Sequence, residues 1–381
     1  MMPPIHGNTA KGFDSVRDAF ADNFTGAHSC VEIGASFSAY RNGEPLVQLW
    51  GGHADGKRTR EWTEHTVVNI FSATKGVVAC CVAVLAGQGR LDFDATVASY
   101  WPEFAQGGKA KITVAQMLSH QGGLSGVRVP TSPDDLLNWN TMIKRLEMAE
   151  PLWVPGSTAG YHAITWGYLA GELVRRVAGK SVGTFLQEDI TRPIGADVFI
   201  GLTSSTDHPI AEMLKATGAQ TQTFAEMSEI LQLTLGNPLI EAEVANDPRW
   251  QKAEVPAANG QGNAEGLARL YSAFATDGTF EGKRLLAAGA IAAATREMFH
   301  GVDINLGKTL GWAASGFFVR NEWNWFGPNS QAFGHSGWGG SLAFADPSVG
   351  LSVAYVPNQM DTNLQGDPRA LRLINALYSC I

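Results

Sequence analysis

The 381-residue sequence predicts an α+β fold, in which helices flank an antiparallel sheet and a mostly helical domain is inserted into the chain. Three observations lead to this prediction. Strand-like alternation with an Asn-Gly turn lies near the N-terminus, helical periodicity dominates the centre, and strand patterns return near the C-terminus. We therefore expect residues 1–105 and 260–381 to form one α/β domain, and residues 106–259 to form the inserted helical domain.

The first third of the chain predicts a helix, a β-hairpin, and a strand that leads into a second helix. The first helix has apolar residues at helical spacing, and the hairpin turns at Asn42-Gly43, where both residues must accept positive φ. The predicted ranges are 9–26 for the first helix, 31–39 and 46–50 for the hairpin strands, 67–70 for the next strand and 73–87 for the second helix.

Helical periodicity fills the centre of the chain, and strands resume only after residue 300. The predicted central helices are residues 114–120, 133–147, 165–178, 184–190, 210–214 and 224–235. The late strands are residues 310–319, 341–345 and 351–356, followed by a last helix at 368–377. Strands at both ends around a helical centre indicate one sheet that is built from both ends of the chain.

Composition and charge narrow the possible functions. The apolar share of 45% is typical of a folded protein, and the net charge of −8 argues against a nucleic-acid partner. The first seven residues lack the charged start and apolar run of a signal peptide. The longest uncharged apolar stretch, residues 76–89, is shorter than the about 20 residues that a membrane span needs. We expect a cytoplasmic protein without membrane contact, whose four cysteines stay reduced.

A Ser-x-x-Lys motif formed by Ser72 and Lys75 is the first candidate for chemistry. The predicted helix that follows is apolar on all sides, which is typical of a buried helix. Ser72 then lies at the helix N-terminus, where backbone N–H groups favour an oxyanion, and Lys75 lies one turn later on the same side. Partial burial favours a neutral lysine that can take the serine proton. The alternative is a helix-capping serine beside a surface lysine.

Two loops carry further candidates. Tyr161 follows a Pro-Gly turn on a loop ahead of a helix, where a phenol beside a lysine can relay a proton; the alternative is a half-buried structural tyrosine. The second loop, residues 334–341, contains His335, Gly337 and Trp338 in a glycine-rich run beside a strand. Such a run lets the backbone approach a ligand and offer a second oxyanion N–H, although an ordinary glycine-rich turn is the alternative.

A competing serine motif, Gly-x-Ser-x-Gly, is centred on Ser181. A nucleophile elbow of this type needs a strand before the turn and a helix after it. The residues before Gly179 have helical periodicity, which indicates that this glycine ends a helix. We therefore interpret Ser181 as a loop or helix-capping serine.

Taken together, these segments resemble the serine β-lactamase-like superfamily. The Ser72–Lys75 motif, Tyr161 after its Pro-Gly turn and the His335-Ser336-Gly337 run follow the order and spacing of that superfamily's motifs, as do residues 112–124, 192–195 and 340–347. The resemblance spans about residues 15–380 and is closest to the family VIII carboxylesterases, relatives of the class C β-lactamases. It implies an α/β domain and a helical domain, with the active site in the cleft between them.

The resemblance also implies residue roles. Ser72 corresponds to the acylated nucleophile, Lys75 to the residue that keeps its hydroxyl activated, and Tyr161 to the group that exchanges protons with the nucleophile and the leaving group. The backbone N–H groups of Ser72 and Trp338 correspond to the oxyanion hole.

Two departures from the family pattern bear on the substrate. Ala163 stands where β-lactamases have the asparagine of Tyr-x-Asn, so the amide that binds a β-lactam side-chain carbonyl is missing. His335 replaces the lysine that helps to hold a β-lactam carboxylate, and we expect this histidine to be partly charged near neutral pH. By the same resemblance, His335, Gly337 and Trp338 are expected to contact the substrate.

These features predict a serine carboxylesterase that cleaves small, uncharged, short-chain esters through an acyl-enzyme, with weak or no β-lactamase activity. Two alternatives stay open: an amide-directed relative (a β-lactamase, D-amino peptidase or oligoamide hydrolase) and a non-catalytic scaffold of the same fold. The expected partner is a small-molecule ester. We expect no cofactor and no metal, because His120, His162 and His335 lack ligand spacing.

Overall fold

The computed structural model describes residues 3–26, 30–204, 206–217 and 227–381. The strands, numbered in chain order, are β1 Ile5–Thr9, β2 Gly34–Arg41, β3 Glu44–Gly52, β4 Val68–Asn69, β5 Val198–Phe199, β6 Gln261–Gly262, β7 Thr279–Phe280, β8 Lys283–Arg284, β9 Glu297–Asp303, β10 Lys308–Ala313, β11 Phe318–Val319, β12 Phe333–Ser336, β13 Leu342–Asp346 and β14 Leu351–Pro357.

The helices are numbered in the same way. They are α1 Asp14–Asp22, α2 Ala73–Gly87, α3 Val97–Tyr100, α4 Val114–Leu118, α5 Pro133–Leu136, α6 Trp139–Met148, α7 Thr165–Ala178, α8 Val182–Phe185, α9 Glu229–Leu235, α10 Pro248–Lys252, α11 Ala264–Ala275, α12 Ala290–Thr295 and α13 Pro368–Tyr378. Short 3-10 turns occur at Pro102–Ala105, Arg192–Ile194 and Ala242–Asn246, and a π-helical turn at Leu186–Thr191.

The main sheet contains strands from both ends of the chain. In the described residues its nine strands run in the order β1-β3-β2-β14-β13-β12-β11-β10-β9, and β2 pairs antiparallel with β14, with Phe37 opposite Tyr355. A smaller sheet has the order β4-β6-β5, and β7 pairs with β8. The predicted α+β fold class, with an antiparallel sheet drawn from both ends of the chain, is confirmed. The domain limits given above stay a prediction.

Both faces of the central strands are covered, which explains why β2 is almost entirely buried. On one face Phe37 shares an apolar cluster with residues of α1 and α13. On the other face, the Ser36 hydroxyl accepts a hydrogen bond from the Ala264 N–H at 3.1 Å, and the Ser352 hydroxyl donates to the Ala268 carbonyl at 2.8 Å, both against α11. Small serines on this face let α11 approach the sheet closely.

Helix α2 is the core helix that the sequence predicted. Its residues from Ala73 to Leu85 are all buried, and it packs against α7, α12 and β12. The predicted ranges of α2 and α7 match the structure. The predicted helix at 133–147 is divided into α5 and α6, because Ser132 and Asn138 each cap a separate helix.

Other predicted elements are corrected by the structure. The helix at 210–214 is wrong, because Ile210 pairs with Val67 and Leu214 with Gln359 as extended backbone. These neighbours supply the backbone hydrogen bonds that a helix would otherwise form internally. The first helix is shorter than predicted, since β1 precedes it and pairs with β3. Of the helix predicted at 224–235, residues 224–226 lie outside the described residues, and in the described part the helix, α9, begins at Glu229 after its N-cap Ser228.

Gly76 in α2 tests how tightly this helix is packed. A Cβ there would lie 2.0 Å from Oη of Tyr271 and 3.1 Å from Cβ of His335. In a helix with free space, replacing glycine by alanine stabilises the protein by about 1 kcal/mol. Here the added methyl group would be overpacked, so we expect Gly76→Ala to lower the free energy of unfolding by about 1–3 kcal/mol. Denaturant unfolding measures the change.

The matched variant is Tyr271→Phe, which removes the obstructing oxygen. Within the described residues the Tyr271 hydroxyl is buried without a hydrogen-bond partner, so its removal costs little by itself. Gly76→Ala should therefore be less destabilising in the Tyr271→Phe background than in the native one. An equal cost in both backgrounds would contradict the packing argument.

Candidate active site

Ser72 lies where the chain turns from β4 into α2. Phe71 has a φ of 41°, a left-handed conformation that is strained for a residue with a side chain, and Ser72 is the N-cap residue of α2. The Thr74 hydroxyl donates to the Phe71 carbonyl at 2.5 Å and accepts from the Gly260 N–H at 2.9 Å, so neighbouring groups hold the strained turn. The turn leaves Ser72 half-buried at the start of a buried helix.

Lys75 lies one turn later and is completely buried, whereas the sequence predicted partial burial. Its Nζ is 3.0 Å from Oγ of Ser72, 2.7 Å from the Ala163 carbonyl oxygen and 3.0 Å from the Ala257 carbonyl oxygen. Burial lowers the pKa of Lys75 well below its usual value. A neutral amine has two N–H groups for the two carbonyls and one lone pair for the serine hydroxyl, so each of its hydrogen-bonding positions is used.

Tyr161 reaches the same serine from the loop ahead of α7, as its sequence position predicted. Its hydroxyl interacts with the Ser72 side chain, and Nζ of Lys75 lies 4.7 Å from the centre of its ring. Burial raises the pKa of the Tyr161 phenol well above its usual value, so the phenol keeps its proton at neutral pH. The structure therefore brings Ser72, Lys75 and Tyr161 into one contact group.

A buried carboxylate that the sequence analysis missed holds Tyr161 in place. Oδ1 of Asp303 accepts hydrogen bonds from the backbone N–H groups of Tyr161, Asn305 and Leu306, each at 3.0 Å. Its Oδ2 accepts from the Trp312 indole N–H at 3.1 Å, and that indole stacks on the Tyr161 ring with 5.9 Å between ring centres. One carboxylate thus fixes the tyrosine backbone and the ring that packs on its side chain.

The glycine-rich loop between β12 and β13 packs directly against the start of α2. The Ser341 hydroxyl donates to the Ile70 carbonyl at 2.7 Å. Gly337 leaves no room for a side chain, because a Cβ there would lie 2.2 Å from the same carbonyl oxygen and 3.1 Å from the Ala73 nitrogen. The absence of a side chain at this position lets the loop backbone approach Ser72.

Trp338 follows in this loop, and its indole packs on the Phe71 ring with 5.2 Å between ring centres. In the part of the chain that the structure describes, the backbone N–H groups of Ser72 and Trp338 have no hydrogen-bond acceptor. Two unpaired N–H groups beside a serine are the arrangement that an oxyanion requires. Their predicted role as the oxyanion hole stays a prediction.

His335 is buried beside this group, and its charge state differs from the expectation. Its Nδ1–H donates to the Ser336 carbonyl at 2.7 Å, which leaves Nε2 as an acceptor without a partner among the described residues. Burial is the main cause that lowers the pKa of His335 to about 3. The expectation that His335 is partly charged near neutral pH is therefore wrong, because desolvation keeps the ring neutral.

Two further buried histidines have internal partners. His162 donates from Nδ1 to the Gly160 carbonyl at 2.7 Å and accepts at Nε2 from the Leu124 N–H at 3.0 Å. His120 accepts at Nδ1 from the His162 N–H at 3.0 Å. Among the residues that the structure describes, no three His, Cys, Asp or Glu side chains converge so that they could hold a metal ion.

Ser181 lies in a different environment. Gly179 ends α7 in a left-handed conformation, and Ser181 caps α8, with its hydroxyl donating to Glu254 at 2.6 Å. A helix precedes the turn where a nucleophile elbow needs a strand, so the interpretation of Ser181 as a capping residue is confirmed.

In the described ranges, no helix is long and apolar enough to cross a membrane, and all four cysteines are free.

Comparisons with known proteins identify relatives over nearly the whole chain. The Beta-lactamase family profile matches residues 20–377. A family VIII carboxylesterase of known structure is 46% identical with a TM-score of 0.94, covering 99% of this chain and 100% of that one. A penicillin-binding protein homologue from Caulobacter crescentus is 43% identical with a TM-score of 0.92 and the same coverage. Esterase/beta-lactamase LipL of Mycobacterium tuberculosis is 33% identical over 93% of this chain and 83% of LipL.

The neutral state of His335 predicts a pH-dependent stability. A histidine in the unfolded chain titrates near 6.5, whereas burial lowers the pKa of His335 to about 3. Between these values the unfolded chain binds more protons, so stability falls as the pH falls below about 6.5. His335→Gln cannot titrate and should reduce the slope of unfolding free energy against pH by about 1.4 kcal/mol per pH unit. Denaturant unfolding at about pH 6 and pH 5 measures both slopes, and equal slopes would contradict the buried neutral ring.

Proposed function

The chain belongs to the Beta-lactamase family, as its motifs predicted, and we propose that it acts as a serine carboxylesterase on small, uncharged esters. One observation carries the proposal: Nζ of Lys75 is buried, contacts Oγ of Ser72 at 3.0 Å, and has no carboxylate partner within the described residues. An amine in this environment is neutral and can accept the serine proton. A helix-capping serine beside a surface lysine would not account for a buried lysine.

In the proposed acylation, Oγ of Ser72 attacks the ester carbonyl carbon while its proton passes to the neutral Lys75 amine. The carbonyl oxygen becomes an oxyanion that faces the N–H groups of Ser72 and Trp338. When the carbonyl forms again, the bond to the alcohol oxygen breaks. Tyr161 donates its proton to the departing alkoxide, and the proton held by Lys75 replaces it. The products are the acyl-enzyme and a neutral alcohol.

Deacylation reverses these roles with water as the nucleophile. Water attacks the acyl carbon and gives a proton to the unit formed by Lys75 and Tyr161. The second oxyanion forms at the same two N–H groups, the bond to Oγ of Ser72 breaks, and the serine recovers its proton. A carboxylic acid leaves, and the neutral state of all three side chains is restored.

The relatives support an ester as the substrate class, since one is described as a family VIII carboxylesterase and LipL is described as an esterase/β-lactamase. The second part of the LipL name and the penicillin-binding protein homologue favour one alternative, an amide-directed hydrolase that opens β-lactams. The lack of suitable polar groups around the site argues against this amide-directed alternative. Ala163 offers no side-chain amide, and the neutral, buried His335 offers no cation for a β-lactam carboxylate.

The nucleophile is tested by Ser72→Ala, with Ser181→Ala as the matched control. We expect the first variant to lose ester turnover, because Ser72 is the hydroxyl that contacts a buried, neutral lysine, and the second to keep it nearly unchanged. A fluorophosphonate should label the wild-type protein on the peptide that contains Ser72, as read by mass spectrometry. An adduct on Ser181 would refute the assignment, and wild-type protein without any adduct would favour the non-catalytic scaffold.

The substrate class is tested by comparing p-nitrophenyl esters of short chain length with a chromogenic cephalosporin. We expect kcat/KM to be at least about 100-fold higher for the best ester, equivalent to about 3 kcal/mol of transition-state stabilisation. Two missing polar contacts at about 1–3 kcal/mol each account for this gap, and a p-nitrophenyl ester needs neither contact. Because His335 stays neutral, the ratio should not narrow between about pH 8 and pH 6. Cephalosporin turnover within about tenfold of the best ester would favour the amide-directed alternative.

A further inference from the structure

A buried ion network lies directly behind the loop that carries Trp338. Arg369 is completely buried, as is Glu32, and the Asp367 side chain is 2% exposed. Arg369 binds Asp367 through two parallel bonds, Nε to Oδ1 at 3.1 Å and Nη2 to Oδ2 at 2.6 Å. Its Nη1 donates to Oε2 of Glu32 at 3.2 Å and to the Gln359 carbonyl at 2.8 Å.

This network contacts the loop backbone at two adjacent glycines. Nη2 of Arg369 donates to the Gly339 carbonyl at 3.3 Å, and the same carbonyl accepts from the Asp361 N–H at 3.2 Å. Gly340 has a φ of 118°, and a Cβ there would lie 2.1 Å from Oδ2 of Asp367 and 3.0 Å from Nη2 of Arg369. The loop therefore rests on the Asp367–Arg369 pair with no side chain between them.

Two glycines in a row give this loop backbone freedom. The loop restricts part of it through its own bonds, from the Gly340 N–H to the Gly337 carbonyl at 3.2 Å and from the Gly337 N–H to the Ser341 carbonyl at 2.6 Å, and contacts from outside restrict it further. The N–H of Trp338 lies between two anchored points. On one side Gly337 is held against the start of α2, and on the other the Gly339 carbonyl is held by Arg369 and Asp361. An oxyanion donor is effective only when its direction is set before charge develops on the substrate. The bonds that hold the Gly339 carbonyl therefore affect the direction of the Trp338 N–H as well as the stability of the fold.

We propose that Arg369 and Asp367 are positioning residues, which hold the Trp338 N–H in the direction that the oxyanion requires without touching the substrate themselves. This inference rests on the proposed function, because it assigns a role within that reaction. Asp367 is the more important partner of Arg369, since it makes both bonds of the pair and lies against Gly340, whereas Glu32 makes one bond.

The first test is Asp367→Asn, which keeps the side-chain size but removes the charge and turns one acceptor into a donor. Two quantities are measured: kcat/KM for p-nitrophenyl acetate, and the inhibition constant of n-butylboronic acid, whose serine adduct is a negatively charged, tetrahedral boronate with one of its oxygens at the oxyanion position. Loss of one oxyanion donor lowers kcat by about 10²–10³-fold, so a misdirected donor should lower kcat/KM by about 10-fold or more and raise the inhibition constant by a similar factor. KM should change by less than about threefold.

The matched control is Glu172→Gln on α7. Glu172 is also completely buried and binds Arg175, Arg176 and the Trp139 indole, so this variant disturbs a comparable ion network between α6 and α7. Thermal unfolding should show a loss of stability for both variants, while the control keeps both kinetic quantities within about twofold of wild type. If Asp367→Asn does not fold, Arg369→Lys is tested in its place. It keeps the charge but not the paired bonds, so we expect the same fall in kcat/KM and the same rise in the inhibition constant.

The outcomes separate the inference from the function on which it rests. A folded Asp367→Asn protein that matches the Glu172→Gln control in both quantities overturns the positioning role. A fall in kcat/KM with an unchanged boronic acid constant also overturns it, because the oxyanion site would then be intact. Wild-type protein that neither hydrolyses the ester nor binds the boronic acid refutes the proposed function, and the positioning role falls with it.

Discussion

The site depends on one constraint: the amine of Lys75 is buried, and no counter-charge lies beside it in the described part of the chain. An unpaired ammonium in a protein interior costs several kcal/mol, so burial stabilises the neutral form of Lys75. The carbonyls of Ala163 and Ala257 accept its N–H groups but cannot take its lone pair, which is left for Ser72. The same burial keeps Tyr161 protonated and His335 neutral. Lys75, Tyr161 and His335 are therefore uncharged at rest, and charge develops on the groups around Ser72 only during the proposed reaction.

The fold serves this constraint by bringing distant segments to the start of one apolar helix. Lys75 belongs to α2, Ala163 precedes α7 and Ala257 precedes β6, so the three groups around the nitrogen come from separate parts of the chain. The loop after β12 adds the Trp338 N–H from the C-terminal half of the sheet. A helix with a charged face could not pack on all these sides, which is why the apolar sequence of α2 is as important as the serine that precedes it.

Local patterns predicted the parts of this structure that depend on near neighbours. The apolar circumference of α2 and the Asn42-Gly43 hairpin can be identified from adjacent residues alone. The order of the motifs along the chain then extended the prediction to the site residues Ser72, Lys75 and Tyr161. What was missed depends on distant partners: Asp303 holds Tyr161 across 142 positions, and Arg369 pairs with Glu32 across 337. The charge of His335 was misjudged for the same reason, because its desolvation comes from residues that its own sequence neighbourhood does not contain.

The positions of Asp303 and Asp367 are compatible with a neutral amine at Lys75. A carboxylate in contact with Lys75 would stabilise the ammonium form and oppose an oxyanion nearby, so acidic groups are excluded from that contact. They lie one layer further out. Asp303 acts through the backbone of Tyr161 and the indole of Trp312, and Asp367 through Arg369 and the glycine loop. At that distance a carboxylate can orient the proposed proton donor and the proposed oxyanion donor, while the lysine that we propose as the acceptor of the serine proton stays neutral.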